Sequence, residues 1–540
     1  MNEKKILGFD IPTISAIVLT GLIFFGWQTY MAKKYPQMNK KTEVVATENA
    51  PVAQEKSEAA NSAANPQGQA STQHLEKDQN QKEQVLSYDS TEASMNISSS
   101  GMGLKDIVLH NHKDRKKQPM KIGLNDKPTY ALSQISDPAP LFFNINKIDE
   151  NIFEGVAFAG QTKITRRLEF DVKTGAINNS VLVENIDPQF KGLSLDISET
   201  TLENATGGNF LMPALEHQEF ILNQENKVER VNNSAANEAI NKEYKQVSLL
   251  ALGSQYFTSA VVDKSQVIPG AIIVGGKDAK ILSAQLQYKP ILGQNSMSLS
   301  WIQYSGAKDF EHLEKIEPLF AKIVNFGILE AISKFLLLNL KWWHSLVGNW
   351  GVAIILLTLL VRIIVLPFNI STFRSTKKMQ VLQPKIQALR EKFKNDPQGM
   401  NQAQMQLWKE NKVNPLGGCL PMLLQLPIFF ALNDVFRQSI ELYQAPFFGW
   451  ISDLSLKDPF FVLPILMGAS MFFQQKITPT TMDPAQAKVM KYMPILFSFM
   501  MVGLPSGLTL YIFINTLSGI ALQQAFMGDR NIISAKAVKA

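Results

Sequence analysis

Residues 351–367 read GVAIILLTLLVRIIVLP, an apolar run that is interrupted by one charged residue, Arg362. A helix of this length extends about 25 Å, close to the ~30 Å hydrocarbon core of a bilayer. An arginine inside such a segment costs roughly 2.5–3.5 kcal/mol on insertion scales, so it normally faces a polar cavity or a partner. The competing interpretation is that the side chain extends toward the membrane surface, because Pro367 follows closely. Position alone leaves both interpretations open.

Five further apolar runs predict six membrane-spanning helices in total. The first run, residues 11–31, is uncharged and begins after two lysines, as a signal peptide would. No small-residue cleavage site follows it, which favours an uncleaved anchor over a signal peptide. The other runs are residues 416–436, 460–473, 490–504 and 507–527. The middle two of these are shorter than the ~17 residues usual for a span and taken alone fit buried core helices equally well.

Loop charge predicts the orientation of these spans. Residues 371–415 carry nine basic and three acidic side chains, and a basic excess marks the cytoplasmic side. The next loop instead holds Glu441, Asp453 and Asp458 against Lys457. Six spans therefore place both termini in the cytoplasm and residues 33–345 on the opposite side. The net charge of +6 accordingly divides into +9 for residues 345–540 and −3 for the rest.

The outer part is predicted to contain a tether, a β-domain and a surface helix. Residues 35–100 are polar and poor in aromatics, which predicts a disordered tether. Residues 101–325 show short alternating runs such as RLEFDV between Gly and Asn turns, which predicts a large antiparallel β-sandwich with a terminal helix. Residues 326–345 predict an amphipathic helix on the membrane surface, with Trp342 and Trp343 as anchors. A seventh span is the alternative, but it would invert the basic loops.

The remaining segments are a cytoplasmic tip with the first anchor (1–34), a helical core (346–528) and a cytoplasmic tail (529–540). Within the core, residues 371–415 predict a cytosolic helical hairpin. Apolar residues recur there at spacings of three and four around a turn at residues 395–399. Its basic surface is explained either by simple solvation or by contact with lipid headgroups or ribosomal RNA.

The residue inventory offers little for catalysis. The single cysteine, Cys419, excludes an internal disulfide framework and cysteine-based zinc sites, and all six histidines precede residue 345. No nucleophile motif, phosphate loop or distinctive acid pair occurs in residues 102–320. His110 and His112 fit core or surface histidines better than ligands. We therefore expect no enzyme activity, no cofactor and no metal.

Polar residues recur along the later spans, and hydrogen bonding between helices is the default explanation for most of them. Together with Arg362, some of them could line a shared amphiphilic cavity. The set is Thr358, Gln425, Asn433, Gln474, Thr509, Asn515, Thr516, Gln523 and Gln524.

Three motifs resemble the YidC/Oxa/Alb family of membrane insertases. They are residues 413–421 (VNPLGGCLP), residues 425–429 (QLPIF), and residues 504–508 (LPSGL) with Tyr511. The resemblance covers about residues 343–526. A long outer β-domain after an extra first span is typical of the Gram-negative bacterial branch of this family.

The resemblance implies a polytopic α-helical fold with a five-helix insertase core, a groove open to cytoplasm and lipid, and a periplasmic β-supersandwich. It places Arg362, Thr358 and Tyr511 at groove positions, and we add Gln425 from the polar series; Ile512 stands where relatives often carry a second aromatic. The implied function is that of an insertase and chaperone in the bacterial inner membrane, alone or with the Sec translocon. The implied partners are nascent membrane proteins, the Sec translocon, the ribosome and the lipid bilayer, but not DNA.

Two other classes remain as alternatives. A secondary transporter with a β-sandwich receptor domain would show inverted repeats and broken helices, and the sequence displays no such repeat. An anchored sugar-processing enzyme would need a catalytic acid–base pair in residues 102–320. Depletion would discriminate these classes, through uninserted membrane proteins, lost uptake of one solute, or a lost sugar conversion.

Overall fold

The computed structural model describes residues 82–124, 126–202, 217–233, 238–276, 279–291, 293–394, 396–411, 420–478 and 484–527. The residues from Gln84 onward form one compact unit, in which a β-rich part precedes a helical part. Several predicted features lie outside the described residues: the tip and first span, most of the tether, motif residues 413–419 and the tail.

Nineteen strands are present within the described residues, and every strand pair is antiparallel. The first ten are β1 Val85–Asp89, β2 Ala93–Ser98, β3 Leu104–Lys113, β4 Pro119–Ile122, β5 Ala131–Gln134, β6 Asp137–Pro140, β7 Asn144–Asp149, β8 Ile152–Ala159, β9 Thr162–Phe170 and β10 Ile177–Glu184. The others are β11 Leu193–Thr200, β12 Gln218–Gln224, β13 Lys227–Asn232, β14 Ile240–Tyr244, β15 Val247–Ser254, β16 Phe257–Asp263, β17 Gly270–Gly275, β18 Ile281–Tyr288 and β19 Ser296–Ala307.

These strands form three sheets. A nine-stranded sheet has the order β13-β12-β15-β16-β19-β10-β9-β8-β7, a six-stranded sheet the order β14-β17-β18-β11-β5-β6, and β1 to β4 form a meander. Strands β9 and β10 bury alternate residues, so each has one face in the core and one face outward. The buried faces of the sheets share one apolar core, and β15 lies against β11, β17 and β18. The predicted β-rich domain is therefore present as packed antiparallel sheets.

The disordered tether was expected to extend to residue 100, and this expectation is wrong for its last part. Strands β1 and β2 lie inside it, and their Tyr88, Met95 and Ile97 are buried in the shared core. Tyr88 stacks on Phe170 of β9 with ring centroids 3.9 Å apart. Composition averaged over a long polar segment hides such strands, because a strand with one face in the core needs apolar residues only at alternate positions.

Helices make up the second part of the unit. They are α1 Phe310–Ile316, α2 Pro318–Ala321, α3 Glu330–Val347, α4 Trp350–Lys392, α5 Pro397–Glu410, α6 Leu420–Gln438, α7 Val462–Ile477, α8 Pro484–Met501 and α9 Ser506–Met527, with short 3-10 turns at Gly327–Leu329 and Ile440–Leu442. Within the described residues, one helical segment, Trp350–Ile370, is long and apolar enough to cross a membrane.

Prolines act differently at two places in these helices. The helix predicted at the end of residues 101–325 is broken, because Pro318 holds Glu317 in an extended conformation with φ −160° and ψ 127°. By contrast, α4 continues through Pro367 and Pro384 for 43 residues, about 65 Å. The segment predicted as a span and the first arm of the hairpin are thus one helix. The hairpin arms pack through Met379, Leu382 and Ile386 of α4 against Trp408 of α5.

A buried charge cluster joins the β-domain to the helices that follow it. Arg230 of β13 and Lys308, which follows β19, lie 3.1 Å and 3.4 Å from Oε1 of Glu219 on β12. Although burial opposes ionisation of Glu219, these two cations lower its pKa to about 2. Arg230 also donates to the main-chain oxygens of Lys322 and Ile323, at 2.7 Å and 3.0 Å. The connector after α2 is therefore attached directly to the sheet.

Ion pairs also join the β-domain to the segment between α6 and α7. Arg115, in the β3–β4 turn, lies 2.7 Å from Asp453, with both side chains mostly buried, and its guanidinium stacks over Tyr443 at 4.3 Å. Lys341 of α3 lies 2.7 Å from Glu441 and 3.2 Å from Asp309. Although burial alone would lower the pKa of Lys341, its acidic neighbours raise it. Together with the Glu219 cluster, the contacts of Arg115 and of Lys341 thus hold the two parts of the unit by charge at three places.

The first prediction concerns Glu199, which is buried on β11 and accepts a hydrogen bond from Ser259 of β16 at 2.9 Å. Burial raises the pKa of Glu199 from 4.5 to about 7, so the folded state holds its proton more tightly than the unfolded state. The stability that this proton provides is lost as pH rises from about 4.5 through 7. We expect Glu199→Gln to stabilise the β-domain near pH 8 by up to about 3 kcal/mol and to change little near pH 5.

Hydrogen–deuterium exchange of β11 and β16 peptides in the full-length protein measures this effect, with variant and parent compared at the same pH. The exposed Glu243 on β14 supplies the control Glu243→Gln, which should show no pH-dependent difference. Equal protection of Glu199→Gln and parent at both pH values would contradict the prediction.

The second prediction concerns the ion pair between Arg115 and Asp453. We expect Arg115→Ala to increase hydrogen–deuterium exchange in residues 439–461, because it leaves a mostly buried carboxylate unpaired at a cost of about 1–3 kcal/mol. Adding Asp453→Asn should restore part of the protection. Arg167→Ala, at an exposed position of β9, is the matched control. Unchanged exchange in Arg115→Ala would show that the ion pair does not hold this segment.

Candidate functional site

Helix α4 positions two of the predicted site residues on one face. The helix begins after Asn349, whose side chain accepts a hydrogen bond from the Val352 amide at 3.0 Å. Thr358 and Arg362 are four residues apart, so they lie one above the other on the helix. Val361 and Val365 are buried nearby, whereas the opposite side exposes Ile363 and Ile364. The face that carries the arginine therefore points toward the other helices.

The guanidinium of Arg362 bonds to a neighbouring helix. Its Nη2 donates a hydrogen bond to the main-chain oxygen of Asn515 on α9. Its Nε has no hydrogen-bond partner in the described part of the chain, and the hydroxyl of Tyr511 is its electrostatic neighbour there. Of the two interpretations that the sequence left open, this geometry favours a side chain directed into the helical bundle over one that extends to the membrane surface.

Tyr511 and Gln425 form a second polar contact, between α9 and α6. The Nε2 of Gln425 donates to the Tyr511 hydroxyl at 2.8 Å. The Tyr511 ring is buried and packs edge-on against Phe436 with centroids 6.0 Å apart. Ile512, the next residue, is also buried. The structure thus brings Arg362, Tyr511 and Gln425 into one polar group where α4, α6 and α9 meet.

The three threonines of the polar series are used locally. The hydroxyl of Thr358 donates to the main-chain oxygen of Ile354, one turn earlier, at 2.7 Å. Thr509 and Thr516 of α9 likewise donate to the main-chain oxygens of Pro505 and Ile512. Gln523 instead reaches α7, where it donates to the Ile477 oxygen at 3.2 Å. Interhelical hydrogen bonding, the default expectation for this series, applies to Gln425 and Gln523 but not to these threonines.

The histidines of the β-domain do not form a metal site within the described residues. His112 packs edge-on against Phe257 with centroids 5.4 Å apart, and burial lowers its pKa. His110 lies 3.6 Å from Asp89 at an exposed position. His112 is therefore partly buried, and His110 lies at the surface.

One neighbour of the arginine was missed by the sequence analysis. Gly519 of α9 lies directly against the Arg362 guanidinium and the side-chain amide of Gln474 on α7. In the sequence, Gly519 is marked only by its place one turn after Asn515, on the same face of an apolar helix. Glycine in that context has many explanations.

The structure thus joins a domain of packed antiparallel sheets to a helical bundle, and Arg362 lies within the helical segment that is long and apolar enough to cross a membrane. Two family models match this chain in succession: the YidC periplasmic domain over residues 85–338 and the 60Kd inner membrane protein over residues 342–533. The chain belongs to the YidC family. Proteins of this family have a periplasmic domain and belong to the inner membrane, as the sequence led us to expect.

Curated relatives carry the description membrane protein insertase YidC. The chain is 43% identical over 283 residues to one from Geobacter sp. (strain M21), which covers 52% of each chain. It is 48% identical over 233 residues to one from Francisella tularensis subsp. novicida, which covers 43% of this chain and 42% of the relative. The match thus spans about half the length of these relatives. A crystal structure of an active YidC insertase with its first transmembrane domain resolved aligns over 82% of this chain and 92% of its own, with 20% identity and a TM-score of 0.37.

The third prediction concerns the contact between Gln425 and Tyr511. We expect Tyr511→Phe to lower the thermal unfolding midpoint of the detergent-solubilised protein by a few degrees, because the Gln425 amide loses its acceptor at a cost of about 1 kcal/mol. Tyr492→Phe, at an exposed position of α8, is the matched control. Equal midpoints for the two variants would show that this hydrogen bond does not stabilise the bundle.

Proposed function

We propose that this chain is a membrane protein insertase and chaperone, which inserts and folds nascent proteins of the bacterial inner membrane. Membership of the YidC family and the printed function of its curated relatives support the class of activity. The polar group around Arg362 supports the proposed place where a substrate is received.

The incompletely paired charge of Arg362 carries the proposal. Within the described residues the guanidinium has a neutral carbonyl as its hydrogen-bond acceptor, an Nε without a partner and no carboxylate neighbour. A cation among apolar helices attracts negative charge and water far more strongly than an exposed cation does, because the local dielectric constant is low. Arg362 is therefore suited to receive acidic residues of a substrate in a hydrated groove, beside Thr358, Gln425 and Tyr511.

We place six spans in the membrane, with both termini cytoplasmic and the β-domain periplasmic. Helices α4, α6, α7, α8 and α9 form the five-helix core, and residues 11–31 form the anchor. Helix α3 lies on the periplasmic surface of the inner membrane. It supports this placement by having two apolar faces: one is buried through Leu336 and Leu340, and the other exposes Ile332, Phe335, Leu338, Trp342 and Leu346. An exposed apolar face of this length is suited to lipid.

In the proposed mechanism a hydrophobic substrate segment enters between α6 and α8, where its apolar side meets lipid. Arg362 attracts acidic residues in the short tail that must cross the membrane. Helices α7 and α8, with 16 and 18 residues, would thin the bilayer locally and so shorten the barrier. Release into lipid is driven by burial of the apolar surface of the segment itself.

The hairpin of α4 and α5 is the proposed contact for the ribosome. Its arms are held together by a small apolar core, while Lys377, Lys378, Lys385 and Lys409 supply positive charge. Ribosomal RNA is a polyanion, and a basic surface binds it by displacing counterions. Substrates that also need the Sec translocon would be received from it at the same groove.

The fourth prediction tests Arg362 in proteoliposomes that contain the full-length protein. Two single-spanning substrates are compared that differ only in their translocated tail, with Asp and Glu in one and Asn and Gln in the other. We expect Arg362→Ala to reduce insertion of the acidic-tailed substrate by about tenfold, equivalent to ~1.4 kcal/mol, because it removes the attracting charge. Insertion of the neutral-tailed substrate should fall less than twofold, which is the variation expected between repeats of the assay.

Arg362→Lys keeps the charge and should retain most of the activity toward the acidic tail. Arg167→Ala, in the β-domain, removes a cation far along the chain from the site and should change neither substrate. Unchanged insertion of the acidic-tailed substrate by Arg362→Ala would remove the arginine from the mechanism.

A further inference from the structure

Gly519 occupies the point of α9 at which the guanidinium of Arg362 lies. We propose that Gly519 is a positioning residue for Arg362, because its missing side chain keeps the guanidinium docked on α9 and thereby sets how the arginine meets an acidic substrate tail. This inference rests on the proposed function, in which Arg362 receives that tail.

The space beside Gly519 is already occupied by two polar side chains. A Cβ atom built on Gly519 would lie 3.0 Å from Nη2 of Arg362 and 3.0 Å from Nε2 of Gln474, and 3.6 Å from Cζ of Arg362. The two separations of 3.0 Å are shorter than ordinary van der Waals contacts. Any larger residue at position 519 therefore displaces the guanidinium, the Gln474 amide or both.

The helix register explains why a side chain here would matter to Arg362 in particular. Asn515 and Gly519 are four residues apart, so in an α-helix the Gly519 amide faces the Asn515 carbonyl that also accepts from Arg362. A carbonyl oxygen has two lone pairs, and the second is reachable only where neighbouring side chains leave the backbone open. Glycine at position 519 leaves it open.

Other glycines of the helical part have different surroundings. Gly468 of α7 faces the side chain of Ser498 on α8, with Oγ 2.7 Å from a built Cβ, so it permits two helices to approach. Gly503, between α8 and α9, has open space around it. Gly519 differs from both because the group that fills its space is a cation. A glycine inside a helix costs about 1 kcal/mol relative to alanine, so its presence there suits a requirement for space.

The consequence is a graded dependence on the size of residue 519. Alanine displaces the guanidinium by a few tenths of an ångström, whereas valine would fill the volume that the guanidinium occupies. Once the hydrogen bond to Asn515 is lost, the arginine no longer has a fixed orientation, and a misplacement of about 1 Å at a reacting group can cost up to ~100-fold in rate.

The fifth prediction uses the paired substrates with acidic and neutral tails. We expect Gly519→Ala to lower insertion of the acidic-tailed substrate by about twofold and Gly519→Val by about tenfold, with less than twofold change for the neutral tail. Gly503→Ala should resemble the parent with both substrates. Gly468→Ala, which crowds two helices away from the arginine, should affect both substrates equally if it affects either.

A double variant separates positioning from packing. In the Arg362→Ala background, Gly519→Val should have no further effect on the acidic-tailed substrate. If Gly519→Val lowers insertion of both substrates equally, or still lowers it without the arginine, glycine serves helix packing and the inference is overturned. Where the valine variant does not accumulate in the membrane, Gly519→Ala decides by the same comparison.

The proposed role of Arg362 and the positioning role of Gly519 fail in different ways. If Arg362→Ala leaves insertion of the acidic-tailed substrate unchanged, the proposed role of the arginine fails and the positioning role with it. If Arg362→Ala lowers that insertion whereas both Gly519 variants match the parent, the proposed function stands and only the inference about Gly519 is overturned.

Discussion

A positive charge held among apolar helices is the constraint on which the helical part of this protein depends. The Arg362 guanidinium is costly to desolvate, so the surrounding helices must supply polar atoms. They do so without a carboxylate among the described residues: α9 offers the Asn515 carbonyl, and Tyr511 and Gln425 bond to each other nearby. A buried salt bridge would have neutralised the charge. A carbonyl anchors the guanidinium but leaves its charge available.

Charged contacts of another kind join the β-domain to the bundle. Arg115 pairs with Asp453, and Lys341 bridges acidic residues from the connector and from the segment after α6. Each of these pairs is mostly buried and has further hydrogen bonds or an aromatic neighbour, which makes it more directional than an exposed pair. The same residue types therefore serve two purposes: paired charges fix the two parts together, and an unpaired one marks the proposed groove.

Sequence patterns predicted the elements whose signals are local. Alternation in β9 and β10 and the apolar run around Arg362 correspond to packed strands and to a helix able to span a membrane. Features that depend on distant partners escaped prediction. Strands β1 and β2 lie at the end of a long polar segment, and their buried Tyr88, Met95 and Ile97 pack in the shared core. The role of Gly519 depends on side chains that arrive from α4 and α7, 157 and 45 positions away in the numbering.

The length of α4 has a mechanical consequence. Because the helix is continuous from Trp350 to Lys392, it behaves as a stiff rod with its tip about 45 Å beyond Arg362. A tilt of a few degrees at the bundle moves that tip by several ångströms, and a load on the hairpin is conversely transmitted to the arginine as torque. Pro367 and Pro384 each remove one backbone hydrogen bond, so the helix bends most easily at these two positions. The helix thereby connects the hairpin mechanically to the position of the Arg362 charge.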